Sequence, residues 1–406
     1  MGVLDTIRSV VRLRPIELDG PTRRLRGAAT IEDLRVRARR RLPRGVFDYI
    51  DGGSDGERTL AANAAALAGI ELHPRVLVGV GSVDTRTSVL GRELPLPLVM
   101  APTGMSRIAH PDGELAVARA AARNGLPYTL STVSTRTIEE VAEAGTGPRW
   151  FQLYLPHDRG LGRALVERAA AAGYEVLALT VDTPVLGRRN RDVRQGVTLP
   201  PSLGLRTLID GLVHPAWTWE FVRSEPMGFA NLAPGASSYE AAAGASATVG
   251  NVFDPDLSWS DVEWLRSIWD GPLLLKGVQS PADAVLAADH GVDGVVVSNH
   301  GGRQLDTAPP AITSLGPIVD AAGDRLEVLF DSGIRYGSDV VKALALGARA
   351  CLVGRAYLYG LGVAGEKGVD HAIGLLRDDV VRTMALLGVT SVAGLTRAVL
   401  EPATGT

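Results

Sequence analysis

Cysteine is almost missing from this chain. Its single copy, Cys351, excludes intrachain disulfides and any zinc or iron–sulfur centre built on several thiolates, and no metal is expected. It lies in the apolar run Ala350-Cys351-Leu352-Val353, where a buried thiol is the plainer reading. No apolar run approaches the roughly 20 residues of a spanning helix, so the chain is not expected to cross a bilayer by itself. Charge of one sign is also lacking. Against 45 acidic residues stand 42 basic ones, a formal net charge of −3, and without a long basic run a dedicated nucleic-acid binder is not expected. The N-terminus carries no apolar core ending in a cleavage site, so a reducing, cytoplasmic setting is the expectation. Lysine is scarce as well. Lys276, Lys342 and Lys367 are the only ones, each a place where lysine stands although arginine is used nearly everywhere else.

What is present is ordinary for a packed protein: 46% apolar and 21% charged residues over 406 positions. That length suits one large barrel. Residues 1–30 read as a basic, proline-containing extension with a short helix around Leu4–Val11. Helical segments follow near Ile31–Arg41 and Val46–Ile50. From Leu96 onward a rhythm sets in. Apolar runs at Leu96–Ala101, Pro127–Leu130, Trp150–Tyr154, Val176–Val181, Leu273–Lys276, Gly294–Ser298, Val328–Phe330 and Cys351–Val353 are each followed by a polar or glycine-marked loop. Alanine-rich helical stretches such as Gly113–Asn124, Ile138–Ala144, Gly160–Ala172, Pro281–His290 and Ser338–Leu346 lie between them. Near-continuous apolar strands are what a parallel sheet covered on both faces requires. Eight such units predict an α/β fold, a (β/α)8 TIM barrel. The expected organisation is an N-terminal helical extension and lead-in over 1–95, a barrel over 96–395 and a tail over 396–406.

The segment 197–256 breaks the rhythm. It has no clear strand, several aromatic residues and the Ala/Gly/Ser-rich tract Ala241–Gly250. So long an excursion is usually functional or mobile. Its stretch Leu205–Phe221, with Leu208, Ile209, Leu212, Val213 and Trp217, reads equally as a peripheral membrane contact or as a lid packed on the barrel.

Barrel chemistry gathers at the C-terminal ends of the strands. Those positions hold Pro102, Thr103, Gly104, Ser131, Gln152, Tyr154, Thr180, Asp182, Lys276, His300, Arg303, Asp331, Arg335, Gly354 and Arg355, a polar ring after eight apolar runs. Gly333, Arg335, Gly354 and Arg355 suit a phosphate, since glycine lets N–H groups approach and guanidinium supplies a two-bond fork. They also read as plain surface arginines beside turns. Lys276 must either be paired with a carboxylate or serve an anion. His300 suits proton transfer near neutral pH, although His110 and His157 also follow strands. Arg303 could grip a carboxylate. Asp182 either orients an imidazole or caps a helix. Gln152 and Tyr154 alternate along one strand and point the same way.

The strings Phe47-Asp48-Tyr49, Ala101-Pro102-Thr103-Gly104, Phe151-Gln152-Leu153-Tyr154, Thr180-Val181-Asp182-Thr183-Pro184, Leu275-Lys276-Gly277 and Ser298-Asn299-His300-Gly301-Gly302-Arg303-Gln304-Leu305-Asp306 resemble the FMN-dependent L-2-hydroxy-acid oxidase/dehydrogenase family. The likeness runs from about residue 30 to about residue 395. His214-Pro215-Ala216-Trp217-Thr218-Trp219 and Gly354-Arg355-Ala356-Tyr357 are similar to its branch of bacterial quinone-linked L-lactate dehydrogenases. The resemblance implies that His300 is the base and Asp182 stabilises its imidazolium. Arg189 and Arg303 would hold the substrate carboxylate, while Tyr49 and Tyr154 hydrogen-bond the substrate. It implies that Lys276 faces the FMN ring beside Pro102, Thr103, Gly104, Ser131, Gln152 and Thr180. The phosphate would lie against Asp331, Gly333, Arg335, Gly354 and Arg355. Val133 stands where glycolate oxidase carries tryptophan, which leaves room for another substrate side chain.

The function implied is oxidation of an L-2-hydroxy acid, L-lactate foremost, to the 2-oxo acid, with a quinone or another acceptor taking the electrons. One alternative is an oxygen-dependent oxidase of a larger or aryl-substituted, mandelate-like acid. Another, from a different class, is a non-catalytic FMN-binding protein. A homotetramer and a cytoplasmic or peripheral-membrane location on the inner face belong to the same expectation.

Overall fold

The computed structural model describes residues 17–195, 205–232 and 254–401, with backbone only for 205–208. Eight parallel strands close a barrel in chain order. They are Leu98–Met100, Tyr128–Ser131, Arg149–Leu153, Val176–Thr180, Leu273–Val278, Gly294–Val297, Glu327–Phe330 and Cys351–Val353. The last pairs with the first, Leu352 opposite Val99, so no edge is left open. All eight apolar runs of the sequence form these strands, and the TIM barrel is the fold. The expected helix over Leu4–Val11 and the tract Ala241–Gly250 fall outside the described residues.

Successive strand residues point to opposite faces, and the packing follows that parity. Leu98, Met100, Phe151, Leu177, Leu275 and Val297 pack outward against the helices. Val99, Trp150, Ala178, Leu274, Val296, Leu329 and Leu352 form a separate cluster inside the barrel. A side chain two positions beyond an inward residue again points inward. Gln152, Thr180, Lys276, Ser298, Asp331 and Gly354 therefore emerge at the mouth by the geometry of the strand alone.

The opposite end is plugged. An antiparallel hairpin, Thr87–Val89 with Arg92–Leu94, buries Val89 and Leu94 in the interior cluster. Its two turn residues, Leu90 and Gly91, both have positive φ, as a type I′ turn requires. The sequence reading named no strand in the lead-in, and this hairpin is an addition to it.

The extension contributes helices Ile31–Arg41, Arg44–Asp51 and Arg58–Gly69. The first carries a capping box in which Thr30 and Asp33 exchange hydrogen bonds. The third has no local cap. Its first turn is held by Asp306, whose carboxylate accepts from the N–H groups of Gly56 and Thr59. The excursion after the fourth barrel strand contains helices Leu205–Leu212 and Pro215–Val222 and, among the described residues, no strand. It docks on the barrel mouth. Buried Trp217 donates its indole N–H to the Ile108 carbonyl at 2.9 Å, and Arg107 donates to the Glu225 carbonyl at 2.7 Å.

Candidate active site

The strand ends open into one cleft of about 1260 Å³, its open mouth included. Tyr49, Pro102, Thr103, Gly104, Ser131, Gln152, Tyr154, Thr180, Arg189, Lys276, His300, Arg303, Asp331, Gly333, Arg335, Gly354 and Arg355 all line it. Asp182 stands behind, on His300. Of the three histidines that follow strands, only His300 reaches the cleft. His157 is largely exposed beside Asp254.

The imidazole is fixed from behind. Nδ1 of His300 lies 3.0 and 3.2 Å from the two carboxylate oxygens of Asp182. That carboxylate can only accept while ionised, so the proton sits on Nδ1 and Nε2 presents a lone pair to the cleft. Nε2 is 3.4 Å from the Tyr154 hydroxyl. Burial, reinforced by the Asp182 charge, raises the Tyr154 pKa well above the ordinary phenol value, so this phenol remains a donor. Gly277 permits the Asp182 approach. Its φ is +111°, and a Cβ there would sit 2.6 Å from Asp182 Cγ.

His300 itself has a φ of +58°, an unfavourable conformation for a residue with a Cβ. The loop compensates with hydrogen bonds. Ser298 Oγ accepts from the His300 N–H at 3.0 Å, and Ser332 Oγ accepts from Gly301 at 3.0 Å. Behind it, buried Asn63 and Asn299 exchange amide hydrogen bonds of 2.8 Å in both directions.

Two cations flank Tyr49. The guanidinium carbons of Arg189 and Arg303 lie 5.5 and 5.2 Å from its ring centre. Arg303 donates to the backbone carbonyls of Tyr49 and Gly52. Burial, aided by the charges of Arg189 and Arg355, pushes its pKa down to about 9. Arg189 meets Asp192 at 3.6 Å. Its buried Nε and Nη1 make no hydrogen bond to the described residues, a donor pair fit for an anion.

On the opposite side a polar row crosses the mouth. Ser131 donates to Gln152 Oε1 at 2.9 Å, and Gln152 Nε2 donates to Thr180 Oγ1 at 2.9 Å. Lys276 Nζ follows, 3.2 Å from Ser298 Oγ and 2.9 Å from the Asp331 carboxylate. Burial alone would lower the Lys276 pKa, but Asp331 and Asp182 outweigh it and the net shift is upward. The ammonium stays charged. Lys276 is thus paired with a carboxylate, as one sequence reading had it, and also lines the cleft.

Two expectations change in detail. The Asp331 carboxylate, grouped with a phosphate site, is engaged by Lys276 and by the Ser332 hydroxyl at 2.6 Å; a second anion would be repelled by it. Arg355 donates through Nε, Nη1 and Nη2 to the carbonyls of Ile50, Gly301 and Gly52, bracing the extension against the His300 loop. Sequence reasoning missed Asn63, Ser298, Ser332 and Phe229. Ser298 alone carried a signal, its inward parity after Val296. The others depend on contacts between distant segments.

Comparison with known proteins follows the same outline. Residues 38–402 match the family described as FMN-dependent dehydrogenase. Over 369 residues the chain is 47% identical to an L-lactate dehydrogenase of Caulobacter vibrioides, covering 91% of this chain and 96% of that one. It resembles the solved structure of the monotopic membrane protein (S)-mandelate dehydrogenase, with a TM-score of 0.89 and 39% identity over 92% of this chain and 99% of that one. Mandelate oxidase with (S)-2-phenylpropionate gives a TM-score of 0.77 at 41% identity, over 91% and 97%.

Proposed function

The chain belongs to the FMN-dependent dehydrogenase family, and from that premise we propose that it oxidises an L-2-hydroxy acid, L-lactate foremost, to the 2-oxo acid. The observation that carries this reading is one cleft in which an imidazole backed by a carboxylate faces two arginines and a lysine. FMN is the cofactor and supplies a two-electron acceptor when bound.

The donor set fits such a group. The inward row of Ser131, Gln152, Thr180 and Lys276 alternates donors and acceptors, as the edge of a flat heterocycle needs. Pro102, Thr103 and Gly104 would complete the hold on the ring. Gly333, Arg335, Gly354 and the remaining N–H groups of Arg355 would take the phosphate, with Asp331 taking part through Lys276 and not as a direct partner.

Arg189 and Arg303 would bind the substrate carboxylate, and the enclosed Tyr49 ring keeps both guanidinium groups in place. Tyr154 would donate to the substrate oxygen. His300 Nε2 would take up a proton from the substrate, and Asp182 would hold the imidazolium that results. The charged Lys276 would offset negative charge arising opposite it.

Mandelate-like acids form a second reading, favoured by the likeness to (S)-mandelate dehydrogenase and by the small Val133 side chain on the cleft lining. A quinone acceptor, a homotetramer and a peripheral membrane contact through 197–256 belong to the proposal too. The membrane contact is supported by Leu212, Val213, Trp219 and Val222, which are 65–77% exposed. The decisive variant is His300→Gln. In the FMN-loaded enzyme, anaerobic L-lactate should bleach the wild-type flavin, while the variant retains its flavin and loses 10²- to 10⁴-fold in kcat. An unchanged kcat would remove His300 from the chemistry.

A further inference from the structure

Once a carboxylate lies on Arg189 and Arg303 and a hydroxyl on His300 and Tyr154, the substrate's remaining group must face the apolar part of the cleft. Its apolar lining includes Met105, Val133, Leu186 and Phe229. Three of these belong to loops directly after the first, second and fourth strands. Phe229 is different, because the long excursion carries it back across the mouth. It is 4% exposed although it lies outside the barrel elements.

Its position is set by Asn231, which is fully buried. The carboxamide nitrogen donates to Ser134 Oγ at 2.8 Å and to the Arg136 carbonyl at 3.2 Å. Its oxygen accepts from the Ile138 N–H at 3.0 Å and from Arg168 at 3.1 Å. The Ala230 N–H adds a bond to the Ser134 carbonyl at 3.1 Å. The excursion from the fourth strand is thereby latched to the loop of the second, next to Val133. Val133 in turn touches Gly104, where a Cβ would come within 2.7 Å of its Cγ2.

We propose that Phe229 is the specificity-determining wall that limits the size of the substrate side chain, and that Asn231 is the positioning residue that holds it there. The inference rests on the hydroxy-acid reading and deepens it, because it assigns the choice between small and bulky acids to the excursion. A well-packed ring against a methyl group favours lactate. Removing it leaves space that only a larger side chain can fill, and each methylene-sized difference is worth about 10- to 200-fold in discrimination.

The test uses the full-length, FMN-loaded enzyme with L-lactate and L-2-hydroxyisocaproate. Phe229→Ala should raise the kcat/KM ratio of the larger acid to lactate at least tenfold, and Phe229→Trp should lower it. Asn231→Ala should move the ratio in the direction of Phe229→Ala by a smaller factor; a purely structural role would depress both substrates alike. Phe229→Leu replaces the alanine variant if that one does not fold, with a rise of a few-fold expected. A ratio within twofold of wild type in variants that keep their flavin overturns the proposal. Failure of both acids to bleach the wild-type flavin is a separate result, and it overturns the hydroxy-acid reading beneath.

Discussion

Arg303 pays for its enclosure in basicity. Burial and the neighbouring Arg189 and Arg355 charges disfavour its ionised form and push its pKa below the ordinary guanidinium value. A bound carboxylate reverses that balance by supplying the missing anion. Arginine keeps its proton in folded proteins, so the cost of enclosing the charge is relieved when a carboxylate binds. Arg303→Gln should weaken a carboxylate inhibitor such as oxalate at least tenfold, measured by inhibition constants. The charge on Arg303 is legible in the sequence, but its depressed basicity is not, because only packing removes the water.

Among the elements, the helix Arg44–Asp51 shows how the extension supports the mouth. It presents Tyr49 to the cleft and ends on Asp51, which is 4% exposed. Asp51 joins three other helices: Arg35 at 2.5 Å, Arg191 at 2.9 Å and the Tyr359 hydroxyl at 2.8 Å. Burial works to raise its pKa, yet the bonds from Arg35 and Tyr359 hold it below the usual carboxylate range. Its contribution is therefore full above the unfolded value near 3.8 and is lost as pH falls below it. Asp51→Asn should lower the opening free energy of Ile31–Arg41 and Arg44–Asp51 by about 3–5 kcal/mol at pH 7. Hydrogen exchange of those amides measures this, and the difference from wild type should shrink below pH 4. The two helices themselves were placed from the sequence, near Ile31–Arg41 and Val46–Ile50. The Arg58–Gly69 helix was not, because its cap is Asp306 and no neighbouring residue announces it.

For the whole molecule, the barrel gathers the polar strand ends at one mouth and the excursion adds Phe229 to the lining of the cleft there. No helix among the described residues is long and apolar enough to cross a membrane, yet the Pro215–Val222 helix buries Trp217 and exposes Trp219. Such a helix pair can rest in an interface by its apolar face. The triple variant Leu212→Asp, Val213→Asp, Trp219→Asp should reduce flotation with anionic-lipid vesicles at least tenfold while leaving turnover with a soluble dye unchanged. Wild-type protein that does not float would exclude the contact. By itself the sequence determined the barrel, since strands buried on both faces must be apolar throughout, and period-two alternation then assigns Gln152, Thr180, Lys276 and Asp331 to the mouth. Local order carries that information. Only the tertiary structure decided that Lys276 meets Asp331, that Asn63 locks Asn299 from 236 positions away, and that Asn231 swings Phe229 over the cleft. Those pairings link segments whose separation in the chain leaves no periodic trace, and they exist only once the barrel has closed and brought the loops together.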